Sequence, residues 1–291
     1  MPFLLSRGGN NMPAEVQRWQ YFLRKQNITE VGNIDGGFGL NTERATKVFQ
    51  GLASIQQTGK FDARTLDAAQ ARGYTVLPNN HYSDRSSPDW PPRPDNLSTP
   101  DNATRNRDFK CFKFMMRPLS QRADKDEIVI KNSCDGTDPD WEAAQIITID
   151  IPQLRFAVGY AGRFRVHRKA APLFAALFAK WEADDLLHLV MSYAGCYFAR
   201  YKRELDPPPP AAGHGIKKST DNDASRLSNH SFGSAFDINV SDNGFGNMPA
   251  IAGRRGSVRE LSQSANSLGI FWGGHFTKRD GMHFEIAKLP S

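Results

Sequence analysis

The segment Ser228-Asn-His-Ser-Phe-Gly-Ser-Ala-Phe-Asp-Ile-Asn239 predicts a tight turn that leads into a buried strand. Gly233 permits the backbone angles and the close approach that such a turn needs. Beyond the turn, Asp237 lies between the apolar residues Phe236 and Ile238, so its carboxylate stands beside an apolar strand. A carboxylate in such surroundings must be paired with, or bound to, a positive group.

A second segment, Trp272-Gly-Gly-His-Phe-Thr-Lys-Arg-Asp-Gly-Met-His-Phe-Glu285, places Asp280 three residues before His283, which begins another apolar strand. Together with His230 and Asp237, His283 forms a His–Asp–His set. Three N/O ligands and an open position are the layout of a catalytic zinc site. Asp280 would then be the acid/base group beside the metal. The same side chains also suit a turn, a strand end and a packed core, so spacing alone leaves both interpretations open.

The residues around these segments, from 109 to 291, mix strand and helix patterns and predict an α+β domain with an antiparallel sheet. Short apolar runs predict strands at 127–131, 144–151, 234–240 and 282–286. Longer runs predict helices at 172–181 and 258–268. Pro172 suits the first turn of a helix, and Gly269 ends the last one.

The N-terminal third of the chain divides into a helical module and a linker. Residues 1–75 predict three short helices. Asn41 is a suitable residue to begin the second helix, and Asp62 is suited to cap the third. Residues 76–108 are rich in Pro, Ser, Asn and Asp and have almost no aliphatic periodicity. Such a composition predicts an extended linker before the domain at 109–291.

The overall composition narrows the choice of partner only slightly. With 39% apolar and 11% aromatic residues, the chain can build ordinary buried cores. Its net charge of +6 and pI of about 9.2 suit nucleic acid, anionic lipid or an anionic cell wall. Because the sequence lacks a basic helix, zinc-finger spacing and an interleaved aromatic and basic patch, it disfavours nucleic acid.

The cysteines and the apolar runs give information on the cellular compartment of the protein. Cys111, Cys134 and Cys196 are an odd number without a C-x-x-C pair, and one bridge, Cys111 with Cys134, is possible but not decided by the sequence. The longest apolar run near the N-terminus has three residues, too few for a signal-peptide core. No stretch approaches the ~20 apolar residues of a membrane span. We therefore expect synthesis in the cytoplasm without a signal peptide and no membrane insertion.

The two motif segments resemble the signature of the M15 family of metallopeptidases, which includes D-alanyl-D-alanine carboxypeptidases and phage L-alanyl-D-glutamate endopeptidases. The matching positions are Ser228-x-His230-x-x-Gly233-x-Ala235-x-Asp237 and Asp280-x-x-His283. The resemblance covers about residues 155–289, and it is specific because two separated motifs occur in the right order. It implies zinc ligands at His230, Asp237 and His283 and a catalytic carboxylate at Asp280. Carboxypeptidase members usually have Glu there, and Asp is similar to the phage endopeptidase branch.

The family also has an arginine ahead of the first motif, after a glycine and an aromatic residue. Tyr193-Ala-Gly-Cys-Tyr-Phe-Ala-Arg200 fits this pattern loosely. Arg200 could hold a substrate carboxylate or a developing oxyanion, or it could be a surface arginine. Ser228 could contact substrate or Asp237, or cap a turn. His275 could assist the transition state or be an ordinary loop histidine.

The N-terminal module resembles a peptidoglycan-binding domain of the three-helix type. The resemblance rests on Val16-Gln-x-x-Gln20-x-x-Leu23, Asp35-Gly-x-Phe38-Gly-x-x-Thr42, Val48-Phe-Gln50 and Gly59-x-x-Asp62-x-x-Thr65. It implies peptidoglycan as a partner. Most of the matched positions are core or turn positions, so they do not identify the binding residues.

Together, the resemblances imply a monomeric peptidase that uses zinc (Zn2+) to hydrolyse a stem-peptide bond in peptidoglycan. The enzyme would be of the L-Ala-D-Glu endopeptidase or the D-Ala-D-Ala carboxypeptidase type. Its setting would be an antimicrobial phage endolysin, or a secreted bacterial effector or remodelling enzyme of the cell wall. The alternative is a catalytically inactive peptidoglycan-binding protein, and a zinc assay separates the two.

Overall fold

The computed structural model describes residues 4–77, 90–121, 123, 126–203, 217–218 and 222–290. Their buried apolar side chains form two separate clusters, one drawn from residues 5–74 and the other from residues 109–286. The first cluster lies among helices and the loops that connect them, and the second among helices and antiparallel strands. The predicted α+β class, with a helical module at the front, is confirmed.

The N-terminal module consists of helices α1 (Pro13–Lys25), α2 (Leu40–Leu52) and α3 (Ala63–Gln70). Proline occupies the first turn of α1, where its missing N–H costs nothing. The side chain of Asp62 caps α3, as predicted, by accepting a hydrogen bond from the Thr65 N–H at 2.9 Å. The indole of Trp19 on α1 is fully buried in the centre of the module.

Two buried glutamines hold the turns that precede α2 and α3. The side-chain oxygen of Gln20 accepts hydrogen bonds from the N–H groups of Asp35 (3.0 Å) and Gly36 (2.9 Å). The oxygen of Gln50 accepts one from the N–H of Gly59 (2.9 Å). Both glycines have a φ of +71°, which glycine adopts without a steric penalty. The amides thus satisfy backbone donors that include the buried N–H groups of Gly36 and Gly59.

We expect Gln20→Ala to lower the free energy of unfolding of the module by about 1–3 kcal/mol, because the buried N–H of Gly36 and the partly buried N–H of Asp35 lose their acceptor. Hydrogen exchange at the amides of Asp35 and Gly36 measures the effect. Gln70, exposed at the end of α3, provides the control, since Gln70→Ala should change the stability by less than about 0.5 kcal/mol. Equal exchange rates in the two variants would contradict the role assigned to Gln20.

Over part of residues 76–108, the structure differs from the predicted linker. Residues 78–89 lie outside the described residues. From Trp90 onward the segment packs against the second domain, and it ends in helix α4 (Asn102–Phe109). The side chain of Asp101 caps this helix through the Thr104 N–H (2.8 Å). The expectation of an extended linker is therefore wrong for residues 102–108, while the exact domain boundaries remain a prediction.

The second domain contains four further helices and nine short strands among its described residues. The helices are α5 (Trp141–Gln145), α6 (Ala171–Ala183), α7 (Val240–Asn243) and α8 (Ser262–Ser267). The strands are β1 (Phe112–Met116), β2 (Ile128–Ser133), β3 (Ile146–Ile149), β4 (Phe164–His167), β5 (Tyr193–Gly195), β6 (Lys217–Lys218), β7 (Ala235–Ile238), β8 (Ile270–Trp272) and β9 (His283–Ile286). They form three antiparallel sheets, in the orders β2-β1-β6, β3-β4 and β5-β7-β9-β8.

The four-stranded sheet separates the core from the polar residues of both motifs. Strands β7 and β9 pair so that Asp237 lies opposite His283 and Phe236 lies opposite Phe284. The two phenylalanine rings stack at 5.5 Å and face α6, where Trp181 lies 5.5 Å from Phe284. Because side chains alternate along a strand, the histidine and the carboxylate point to the other face of the sheet.

A disulfide joins Cys111 and Cys134, whose Cα atoms are 5.3 Å apart. The bridge connects the start of β1 to the end of β2, and the possibility raised by the sequence is realised. Cys196 is a buried free thiol. None of the helices in the described part of the chain is apolar over enough residues to span a bilayer.

Candidate metal centre

Three side chains from the two motif segments converge on one point at the polar face of the sheet. His230 lies in a 3-10 turn (Asn229–Phe232), Asp237 on β7 and His283 on β9. The Asp237 Oδ1 atom lies 3.2 Å from His230 Nε2 and 3.1 Å from His283 Nδ1. The two ring nitrogens are 3.2 Å apart. Among the described residues, these three atoms are the group spaced closely enough to bind one metal ion together.

The outer hydrogen bonds of both imidazoles leave lone pairs facing the centre of this triangle. His230 Nδ1 lies 2.6 Å from the carbonyl oxygen of Cys196, which can only accept, so this nitrogen carries a proton. His283 Nε2 lies 2.9 Å from the carboxylate of Glu285 and likewise donates. In the neutral rings, the inner nitrogens and Asp237 Oδ1 are therefore three acceptors in contact. Such a group is stable only with positive charge between its members.

A tetrahedral zinc ion fits this arrangement. Zinc ligands at ~2.0–2.1 Å from the ion stand about 3.3 Å from each other, close to the 3.1 and 3.2 Å separations of the three acceptors. The donor set of two histidines and one carboxylate is one that zinc accepts, and the hydrogen bonds on the far side of both rings are those that orient histidine ligands.

The pKa values of Asp237 and His283 are both shifted in the direction that favours a positive charge between the ligand atoms. Burial raises the pKa of the Asp237 carboxyl, but the imidazoles of His230 and His283 outweigh burial and hold it well below its usual range. Burial lowers the pKa of His283, but hydrogen bonds to Asp237 and Glu285 outweigh burial and raise it to about 10. Without a metal, a proton supplies the charge that a cation would otherwise bring.

The turn before β7 explains why the motif needs its serine and its glycine. The Ser228 hydroxyl accepts a hydrogen bond from the His230 N–H at 3.3 Å and so caps the turn. Gly233 ends it with a φ of +62°, and a Cβ at this position would lie 2.6 Å from the backbone nitrogen of His167. Of the roles considered for Ser228, the structure places it in the capping role.

Asp280 lies beside the triangle, in the turn that precedes β9. Its backbone oxygen accepts a hydrogen bond from the His283 N–H at 3.1 Å, which fixes its distance from that residue. Its Oδ1 atom is buried without a hydrogen-bond partner among the described residues. Burial raises the pKa of the Asp280 carboxyl to about 6, against a lowering by nearby His283. A carboxyl near this value can take and release a proton at neutral pH.

His230, His283 and Asp280 line a cleft of about 400 Å³. Four cationic side chains line it: Arg93, Arg200, Lys202 and Arg203. The guanidinium of Arg200 donates to the Tyr201 carbonyl oxygen at 3.2 Å, and it also lowers the pKa of Asp280. The sequence-predicted Arg200 is thus brought to the same cleft as the motif residues. A wall of this kind suits a substrate that carries a carboxylate.

Sequence reasoning missed two neighbours of the centre and left His275 undecided. Glu285 is 2% exposed and contacts His283, and it follows that residue by two positions on the same strand, so strand alternation could have identified it. Asn229 donates to Glu285 at 2.5 Å. His275 lines the cleft, where its Nε2 atom is buried without a hydrogen-bond partner among the described residues.

Comparison with known protein families agrees with both halves of the architecture. Residues 222–286 match the M15 peptidase family model described as D-alanyl-D-alanine carboxypeptidase. Residues 13–69 match the family model of a peptidoglycan binding domain. The two resemblances predicted from the sequence are thereby confirmed, in the predicted order, and they support a peptidase role at the cell wall. No curated protein and no solved structure matches the chain.

Proposed function

We propose that the protein is a zinc-dependent peptidase that hydrolyses a bond in the stem peptides of peptidoglycan. The observation that carries this proposal is the contact of three acceptors, on His230, Asp237 and His283, beside Asp280, whose buried Oδ1 atom has no hydrogen-bond partner in the described part of the chain. A catalytically inactive binding protein has no need for an uncompensated polar group of this kind in an open cleft. The matches to peptidase and peptidoglycan-binding families supply the substrate class.

In the proposed reaction, His230, Asp237 and His283 hold the metal, and water is added across a peptide bond. Bound zinc supplies a Lewis acid for the carbonyl oxygen and lowers the pKa of water to about 7. Asp280 accepts the proton of the attacking water and passes it to the nitrogen of the leaving amine. Its position suits both steps, because Asp280 lines the same cleft as His230 and His283.

The cationic wall of the cleft would orient the substrate through its carboxylates. Arg200 is our candidate for this contact, since its guanidinium lies in the wall next to Asp280. A planar guanidinium can bind a carboxylate through two parallel hydrogen bonds. The resemblance leaves two bond types: Asp280 is similar to the L-Ala-D-Glu endopeptidase branch, whereas the matched family model is described as D-alanyl-D-alanine carboxypeptidase.

The N-terminal module would hold the enzyme on its insoluble substrate. A binding module joined to the peptidase raises the local concentration of cleavable bonds without any new contact at the cleft. The net charge of +6 would add attraction to an anionic wall. We propose a monomer that acts on the cell wall, as an endolysin or as a secreted remodelling enzyme.

Mass spectrometry of fragments released from purified peptidoglycan tests the function and identifies the bond. A carboxypeptidase releases free D-alanine, whereas an L-Ala-D-Glu endopeptidase leaves a new amino terminus on glutamate. The appearance of either product supports the proposal. Intact stem peptides after prolonged incubation with zinc-loaded protein would refute it, and wall binding without cleavage would leave the inactive binding protein.

Removal of the metal is expected to reduce hydrolysis to background, because the ligand triangle then holds only a proton. The measurement is peptide release before and after treatment with a chelator, followed by titration with zinc. Wall binding by the N-terminal module should be unchanged, since its described residues contain no such ligand set. Full hydrolysis in the chelated protein would exclude a metal mechanism.

A further inference from the structure

We propose that Arg105, from the segment 90–109, positions the metal ligand His283 through Asn229 and Glu285. We call this segment the arm. The inference rests on the proposed function, because it concerns the same metal centre. It adds a positioning residue that lies outside the matched peptidase region, residues 222–286.

The arm is anchored on the peptidase domain at its first residue. The Trp90 ring lies 5.3 Å from the ring of Trp272, and the guanidinium groups of Arg259 and Arg279 lie 4.6 and 5.3 Å from its centroid. Such contacts between cations and an aromatic face are attractive. Further along, Arg93 lines the cleft itself. The arm therefore runs along the site rather than away from it.

Arg105 is the most deeply inserted charged residue of the arm, with 3% of its surface exposed. One of its terminal nitrogens, Nη1, donates to the carbonyl oxygen of Leu227 (2.8 Å) and to Asn229 Oδ1 (3.2 Å). The other, Nη2, donates to the carbonyl oxygen of Ala224 (2.9 Å). A buried guanidinium needs such partners. These contacts fix the chain just before the turn that carries His230.

The hydrogen bonds from Arg105 to His283 form a chain that we call the relay. Its second half runs from Asn229 to the metal ligand His283. With its oxygen held by Arg105, the Asn229 amide group presents its Nδ2 to Glu285 Oε2 at 2.5 Å. The same carboxylate oxygen receives the His283 Nε2 proton at 2.9 Å. Thr99, another arm residue, lines the same cleft as Glu285. Through Arg105 and Asn229 the arm thus acts on the carboxylate that orients His283.

The orientation has a chemical consequence for the centre. When Glu285 holds the proton on His283 Nε2, the Nδ1 lone pair must face Asp237, where a metal would be bound. A supporting carboxylate of this kind changes metal affinity by about 10- to 100-fold. Loss of the Arg105 contact would free the Asn229 amide to rotate and would leave Glu285 without its fixed donor.

The test is a double-mutant cycle on the full chain, with zinc affinity measured by competition with a chelator. Arg105→Lys keeps the charge but cannot bridge the carbonyl oxygens and Asn229 together. Asn229→Ser breaks the relay but leaves Arg105 its two carbonyl partners. We expect each change to weaken zinc binding by about 10-fold or more. The double variant should bind zinc no more weakly than the poorer single variant, because both break one chain of contacts.

Two controls separate positioning from stability. Arg107 lies on the exposed side of α4, where it pairs with Asp108, and Arg107→Ala should leave zinc affinity unchanged. Leu177→Ala removes a fully buried side chain of α6 and should lower the melting temperature without changing zinc affinity. Nitrogen chemical shifts of the His283 ring in zinc-loaded protein give a second readout, since a weaker contact between Nε2–H and Glu285 changes the shift of Nε2.

Unchanged zinc affinity and unchanged ring-nitrogen shifts of His283 in Arg105→Lys, despite a lower melting temperature, would overturn the proposal and leave Arg105 a structural anchor. Multiplicative losses in the double variant would equally contradict a single relay. If Arg105→Lys does not fold, Asn229→Ser alone decides, because it leaves the anchor in place. Failure of the unsubstituted protein to cleave stem peptides would refute the proposed function without affecting the affinity test.

Discussion

Substitution of His283 by alanine is expected to abolish zinc retention and peptide hydrolysis together. The imidazole supplies one of three ligands, and its loss also removes one of the hydrogen-bond donors to the buried carboxylate of Glu285. We expect zinc binding to weaken by more than about 100-fold, beyond the cost of losing a supporting residue. Metal content after gel filtration and release of stem-peptide fragments measure the two effects.

The control for His283→Ala is a histidine of the same domain that lies away from the cleft. His188 sits in the 3-10 turn Leu187–Leu189, near Tyr21 of the first module. His188→Ala should retain both zinc and hydrolysis, and His283→Ala should still bind peptidoglycan through its first module. Full activity in His283→Ala would remove the basis of the proposed metal centre.

Substitution of Asp280 by asparagine is expected to separate metal binding from turnover. The change keeps the size of the side chain but removes the group that takes the proton from water. We expect kcat to fall by about 10²- to 10⁴-fold, the usual contribution of a general base, while zinc content stays at the level of the unsubstituted protein. Steady-state kinetics on a soluble stem peptide, together with metal analysis, distinguish the two quantities.

Asp95, an exposed carboxylate of the arm, provides the matched control, and Asp95→Asn should leave both quantities unchanged. If Asp280→Asn keeps its full kcat, the base must be reassigned. His275 would then be the first alternative, because its buried Nε2 atom has no hydrogen-bond partner among the described residues and lies in the same cleft.

The local features of the site follow from the sequence because they depend on short-range rules. Gly233 predicts the turn before β7, and strand alternation predicts that Asp237 and His283 leave the apolar core. Their contact across β7 and β9 could be expected only from the resemblance to a family, since two short strands 46 residues apart give no pairing signal of their own.

The contribution of the arm could not be predicted from composition. Helix α4 reads Asn-Ala-Thr-Arg-Asn-Arg-Asp-Phe, in which polar residues hide the helical pattern. Its buried anchors are Arg105 and Phe109, and an arginine is usually exposed. Arg105 can be buried because its guanidinium donates hydrogen bonds to the carbonyl oxygens of residues 224 and 227 and to the side-chain oxygen of Asn229. Such an arrangement depends on tertiary contacts between segments about 120 residues apart.

The covalent link between Cys111 and Cys134 makes the durability of the catalytic domain depend on its redox surroundings. The bridge closes a loop over a sequence separation of 23 residues, which restricts the unfolded chain and is worth about 3 kcal/mol. In a reducing cytosol the two thiols stay reduced, and the domain lacks this contribution to its stability. The fold reaches its full resistance to unfolding only after oxidation, in the kind of environment where an enzyme of the cell wall has to survive.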